Sequence, residues 1–250
     1  MIYSKRKAIF VWPLLALLLC APAFGAAEDE KADTPFDDLS PELQKVLKQL
    51  ERANSDVKSL VADVNYKRQI PLLDESETST GKLEFLKPDK IHLKLGKPRN
   101  EEIYSDGKNW WVTDHDEKQT EIYDAASKNA ESPEASFLTF GYGESPRNLL
   151  ETYVISLKNT KQRDKSTKKE NNLKIYTLRF EPRDKDASTR FAAIETEIPG
   201  DSWLPRNIVL HESDGEIVHQ FRLHNRRTNV KLKDKTFSYK PPKGYTILRP

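Results

Sequence analysis

GKLEFLKPDKIHLKLGKPRNEEIYSDGKNWWVTDHDEKQTEIYD, residues 81–124, alternates apolar and polar side chains in short runs separated by turn-forming residues. In the first run Leu83 and Phe85 point one way and Lys82 and Glu84 the other, as a half-buried strand requires. Lys87-Pro88-Asp89 breaks that run, and Ile91, Leu93 and Leu95 resume it against His92 and Lys94. Two further strands, Glu101–Ser105 and Asn109–Thr113, flank Ser105-Asp106-Gly107-Lys108, whose Asp-Gly suits a tight hairpin turn. The stretch therefore predicts one face of an antiparallel sheet, carrying large apolar side chains that a core or a ligand must cover.

Upstream, Ser40-Pro41-Glu42 offers an N-cap and a first-turn proline. Leu43, Val46, Leu47, Leu50 and Ala53 follow at helical spacing, with Glu42, Lys45, Lys48 and Glu51 opposite, which predicts an amphipathic helix. Ser59–Gln69 then changes to period two and begins the sheet. Downstream, Ser145-Pro146 is a second helix start, and short helical pieces there carry Phe137, Leu138, Phe140, Leu149 and Leu150. Strands resume at Tyr153–Leu157, Leu173–Phe180, Phe191–Ile198, Pro205–Glu212 and Glu216–Asn225, with a short last one at Thr236–Lys240. Between the first two of these, Lys158–Asn172 reads as a solvated hairpin tip. The expected fold is mainly β: a single strongly curved antiparallel sheet of about ten or eleven strands, an unclosed half-barrel whose concave face is covered by the amphipathic helix and the short helices.

The N-terminus sets the compartment. Basic Lys5-Arg6-Lys7, an apolar run from Ala8 to Cys20 and small residues from Ala21 to Ala27 have the order of a secretory signal peptide, with cleavage near Gly25/Ala26. The apolar run is short for a membrane span, and Leu19 stands where a lipoprotein signal needs a small residue before Cys20. The expected organisation is a signal peptide at 1–25, a flexible acidic leader at 26–38 and one domain at 39–250. Of 41 basic and 39 acidic residues, the signal peptide removes three basic ones, so the mature chain is nearly neutral and lacks its only cysteine. Near-neutrality gives no support for nucleic-acid binding. Without disulfides, the exported domain must rely on its core.

No nucleotide loop, nucleophile elbow or zinc-protease motif is present in the sequence. Asp114-His115-Asp116 sets carboxylates beside a histidine, but neighbours on a strand do not face one another, and the stretch reads as a loop. His211, His219 and His224 fall on a predicted hairpin, where odd spacing puts His219 and His224 on opposite faces. Neither a metal site nor a cofactor site is expected. The remaining signal is apolar. Leu83, Phe85, Ile91, Leu93, Leu95, Ile103 and Trp111 are expected to share one face, beneath Leu43, Val46, Leu47 and Leu50 of the helix. A plain core explains any one of these residues. A curved sheet closed by only one or two helices, however, tends to leave a mouth, a favoured place for ligands.

Four ordered elements resemble the family of periplasmic outer-membrane lipoprotein carriers (LolA, with the related receptor LolB). They are the helix leading into Ser59-Leu60-Val61-Ala62-Asp63-Val64; Gly81-Lys82-Leu83-Glu84-Phe85-Leu86-Lys87-Pro88; Tyr104-Ser105-Asp106-Gly107-Lys108-Asn109-Trp110-Trp111; and Phe237-Ser238-Tyr239-Lys240-Pro241-Pro242-Lys243-Gly244-Tyr245. The resemblance implies an unclosed barrel with a helical lid over an apolar cavity. It further implies a monomeric periplasmic carrier, not an enzyme, that takes acylated lipoproteins or other lipids from an inner-membrane lipoprotein-releasing transporter towards an outer-membrane receptor. The implied lipid-binding residues are the apolar ones above together with Leu60, Val64, Phe137 and Leu138. In the family an arginine before the proline of the second motif latches the lid; here Lys87 holds that place and is the expected gate. Two other readings stand beside the carrier: a periplasmic lipid-binding sensor or interaction module of the same fold, and a secreted hydrolase using Asp114, His115 or the later histidines.

Overall fold

Ser40 starts the first helix. Its Oγ accepts a hydrogen bond from Leu43 N at 3.4 Å, and Pro41 occupies the first turn, where no N–H is required. Helix α1 spans Pro41–Ser55 and buries Leu43, Val46, Leu47 and Leu50 along one side. The structure is a computed structural model that describes residues 36–125, 138, 142, 145–162, 174–183 and 190–249. All of these fall in one compact unit, Asp33–Pro250. The expected signal peptide, the leader up to residue 35, Phe137 and Phe140 lie outside the described residues. Phe36, assigned from sequence to the loose leader, is buried, with its ring 4.3 Å from the Arg147 guanidinium and 5.4 Å from Lys48 Nζ. Ordered packing thus begins ahead of Leu39, because an aromatic ring at that point finds both an apolar bed and two cations.

Strands β1 (Ser59–Ile70), β2 (Glu75–Leu86), β3 (Lys90–Leu95), β4 (Glu101–Asp106), β5 (Asn109–Asp114) and β6 (Gln119–Asp124) follow α1 as successive hairpins. Helix α2 (Pro146–Thr152) has Ser145 as its cap and leads directly into β7 (Tyr153–Gln162). Then come β8 (Lys174–Pro182), β9 (Phe191–Pro199), β10 (Asn207–Glu212), β11 (Val218–Thr228) and β12 (Thr246–Leu248). They form one sheet in the order β12-β6-β5-β4-β3-β2-β1-β11-β10-β9-β8-β7. Every neighbouring pair is antiparallel except β12 with β6. Because β12 and β7 do not pair with each other, the sheet stays open as a half-barrel.

Twelve described strands exceed the expected count by β6, Gln119–Asp124, which the alternation after Thr113 does not mark as a separate strand, while the C-terminus exchanges one strand for another. Thr236–Lys240 is not a strand: Asp234–Phe237 is a 3-10 turn with Phe237 buried, and the Tyr239 ring packs at a tilt on the outer face, 4.7 Å from that of Tyr104. Its alternation reflects packing onto the sheet, not pairing within it. Thr246–Leu248 supplies the edge strand instead, three exposed residues with too little pattern to be read. Two other boundaries move outward, since β2 starts at Glu75 instead of Gly81, and β7 runs to Gln162 through residues assigned to the polar tip. Long-range hydrogen bonding in a hairpin extends a strand past the point where its side chains stop alternating.

Candidate functional site

Directly paired residues of antiparallel strands project to the same face, so the register fixes which side chains meet. Phe85 pairs with Leu60 and Ile91, Leu83 with Leu93, Leu93 with Ile103, and Gly81 with both Val64 and Leu95. Leu60, Val64, Leu83, Phe85, Ile91, Leu93, Leu95 and Ile103 therefore line one face. They join Leu43, Val46, Leu47 and Leu50 of α1, and Leu138, in a single cluster in which none of these is more than 4 % exposed. Gly81 is required at its place in this wall: a Cβ there would lie 2.1 Å from Lys94 O on β3. Leu149 and Leu150 of α2 and Phe36 complete the cover.

Trp111 is not on this face. Asp106 Oδ1 accepts hydrogen bonds from Lys108 N and Asn109 N, both 2.8 Å, and Gly107 takes a left-handed φ of 89°, which makes a tight turn. That turn sets Ser105 opposite Trp110, Ile103 opposite Val112 and Tyr104 opposite Trp111. A one-residue difference in pairing moves a side chain to the other side of the sheet. Trp110 and Val112 pack against the concave cluster, whereas Trp111 lies on the convex face, 6.1 Å from the ring of Tyr239. The sequence signal that separates the two tryptophans is the loop length, which fixes Trp110 as the fifth residue after Ser105.

Lys87 stands just past the end of β2, and its Nζ donates to Asn54 O in the last turn of α1 at 2.7 Å. Asn54 O also accepts from Val57 N at 3.0 Å, so what the lysine adds is a cation at the negative end of the helix dipole. Burial lowers the Lys87 pKa from its ordinary value. The α1 connection is fastened again beside it, where Asn229 Nδ2 donates to Asp56 O at 3.0 Å and Asn229 Oδ1 accepts from Lys58 N at 2.8 Å. The two helices are joined to each other through Glu51, whose carboxylate accepts from Ser145 Oγ at 2.8 Å and pairs with Arg147 at 3.5 Å. These contacts bind a two-helix cover to the concave face by a small number of polar ties and a broad apolar one.

The convex face carries the charged chemistry. Glu102 on β4 accepts from Tyr104 OH at 2.9 Å, and His92 Nε2 and His115 Nε2 lie 2.9 and 3.2 Å from its two oxygens. The hydrogen bond with His92 is the main cause that pulls its pKa down from 4.5 to about 2. His115 Nδ1 in turn meets Tyr245 OH at 3.1 Å, so this network fastens the C-terminal segment. Asp114 Oδ1 accepts from Asp116 N and Glu117 N and shapes a turn. Of the later histidines, His219 pairs with Leu210 on the concave side and is buried between Tyr66 OH and Glu212, His211 lies 3.7 Å from Glu195, and His224 is exposed. The three histidines thus have separate surroundings and do not converge.

An open antiparallel half-barrel whose apolar concave face is closed by two tethered helices defines a class of binding fold. The chain belongs to the LolA family: the family model described as "Outer membrane lipoprotein carrier protein LolA" matches residues 55–240. An outer-membrane lipoprotein carrier protein of Legionella pneumophila (strain Corby) is 25 % identical over 175 residues, covering 70 % of this chain and 76 % of that protein. Among solved structures, an uncharacterized conserved protein of Thermus thermophilus superposes with a TM-score of 0.49 at 14 % identity, covering 84 % of this chain and 99 % of that one. A LolA superfamily protein of Nitrosomonas europaea gives 0.41 at 11 % identity, with 78 % and 97 % covered.

Proposed function

We propose that the protein is a periplasmic carrier that holds the acyl chains of lipoproteins against the concave face and moves them from the inner towards the outer membrane. The observation that carries this reading is the wall of Leu60, Leu83, Phe85, Ile91, Leu93 and Ile103, covered by a separate helix instead of a second sheet. Family membership supports it, as does the carrier named at 25 % identity.

The energetics suit a cargo that must be both held and released. Withdrawing Leu43, Val46, Leu47 and Leu50 from the wall forfeits about 1.5–3 kcal/mol for each, roughly 9 kcal/mol together. An acyl chain of ~14 methylenes entering in their place contributes about 0.8 kcal/mol per methylene, roughly 11 kcal/mol. Entry of one such chain then exchanges one apolar burial for another at nearly constant free energy. A protein with such a balance binds without trapping, and a transporter and a receptor at the two membranes set the direction of transfer. In this scheme Lys87 is the gate, since it ties α1 to the sheet.

The test is extraction of a triacylated lipoprotein from membrane vesicles into solution by the purified mature protein. The native chain is expected to solubilise it as a one-to-one complex, and Phe85→Asp to lose this while retaining the native circular-dichroism spectrum. Failure of the native chain to solubilise any lipoprotein, or unimpaired extraction by a folded Phe85→Asp variant, contradicts the carrier.

A further inference from the structure

The cover has a second polar fastening, at a position outside both the family motifs and the Lys87 contact. Tyr142 lies in the chain between β6 and α2, is wholly buried, and donates its hydroxyl proton to Pro205 O. Arg226, in the last turns of β11, sends Nη1 to Tyr142 OH at 3.2 Å, to Leu204 O at 2.8 Å and to Pro205 O at 2.7 Å, and Nη2 to Ser202 Oγ at 3.4 Å. Among the described residues no carboxylate pairs with this guanidinium; its partners are all neutral oxygens. A planar fork of donors is suited to gathering several such acceptors at once.

Register places this fastening on the same rim as Lys87. Leu60 at the start of β1 pairs with Phe85 near the end of β2 and with Thr228 at the end of β11, so Lys87 and Arg226 flank the entry of the chain into β1. One grips α1 at Asn54, and the other grips Tyr142, three residues ahead of the α2 cap. Ser145, the cap itself, holds Glu51 of α1.

We infer that Arg226 is a positioning residue for the α2 half of the cover, acting through the Tyr142 hydroxyl as a second latch beside Lys87. Of the four Arg226 contacts one reaches Tyr142 and three brace the 202–205 loop, which also accepts the Tyr142 hydroxyl proton, so the guanidinium seats Tyr142 on a fixed loop. This rests on the carrier reading only for its purpose, since the latch itself is a property of the empty protein.

The test uses the full mature chain without lipid. Amide hydrogen exchange is followed in residues 145–152 for Tyr142→Phe, Arg226→Gln and the double variant, with Arg226→Lys as a partial rescue. Tyr142→Phe keeps the buried ring and removes only the hydroxyl, so it separates the latch from the holding of the 202–205 loop. Expected is about tenfold faster exchange in α2 for each single variant, little further gain in the double variant, an intermediate rate for Arg226→Lys and a melting temperature lowered by only a few degrees in Tyr142→Phe. Unchanged exchange in Tyr142→Phe, or full additivity in the double variant, overturns the latch. A fluorescent fatty acid is then added: faster binding by the variants is the expected result. Accelerated exchange with no binding by any form counts against the carrier reading alone.

Discussion

Glu102 meets three side chains at hydrogen-bond distance on the convex face and pairs with Lys94 at 3.7 Å, and its low pKa makes that network a pH-dependent part of the fold. The carboxyl is depressed from 4.5 to about 2 in the folded chain, so its stabilisation is complete above pH 4.5 and is lost as pH falls towards 2. With the side chain only 12 % exposed, the loss is on the order of 2 kcal/mol. Glu102→Gln should therefore lower the melting temperature near pH 7 and flatten its dependence between pH 4.5 and 2. Equal acid sensitivity in the two proteins would show that the network does not bear on stability. Nothing in the sequence announces this cluster, because His92 and Glu102 sit on different strands, His115 lies beyond a third, and they converge only through register. Trp111 teaches the same lesson in reverse. Alternation within β5 is plain, yet which of two adjacent tryptophans faces inward depends on a turn two residues long.

Helix α1 shows what local sequence does settle. Its cap, its first-turn proline and its apolar stripe all lie close together in the chain, and each appears where the spacing places it. The strands from Gly81 to Thr113 are equally legible, since hydrophobic period and turn residues agree there. The C-terminal elements are not, because Phe237 and Tyr239 gain their partners from the sheet surface and β12 from an edge far away in sequence. How α1 is held is also a tertiary matter: Lys87 contributes a bond to Asn54 O, beside the Asn229 and Glu51 contacts. Such a charge-assisted bond contributes about 1.5 kcal/mol, so Lys87→Met should speed amide exchange along α1 about tenfold and leave β8–β10 unaffected. Exchange in α1 equal to that of the native chain would remove Lys87 from the gate.

At the scale of the molecule the two faces of one sheet divide the work. The convex side of β2–β6 is a web of carboxylates, imidazoles and tyrosines that anchors the C-terminal segment, and the concave side is an apolar wall closed by helices. Fold and wall were readable because both follow from periodicity, and the resemblance singled out Lys87; the partners of the ties that hold the cover shut were not readable, since each tie joins residues distant in sequence. The division assigns opposite fates to two neighbouring residues: Trp110 packs on the concave cluster and Trp111 lies on the convex face. Fluorescence quenching by a brominated acyl chain distinguishes them, measured in two mature chains that each keep only one of this pair and carry Phe at the other and at Trp203. Acyl chains held against the concave face will quench Trp110 strongly and Trp111 weakly. Equal quenching of both, or of Trp111 alone, would place the lipid elsewhere and contradict the carrier reading.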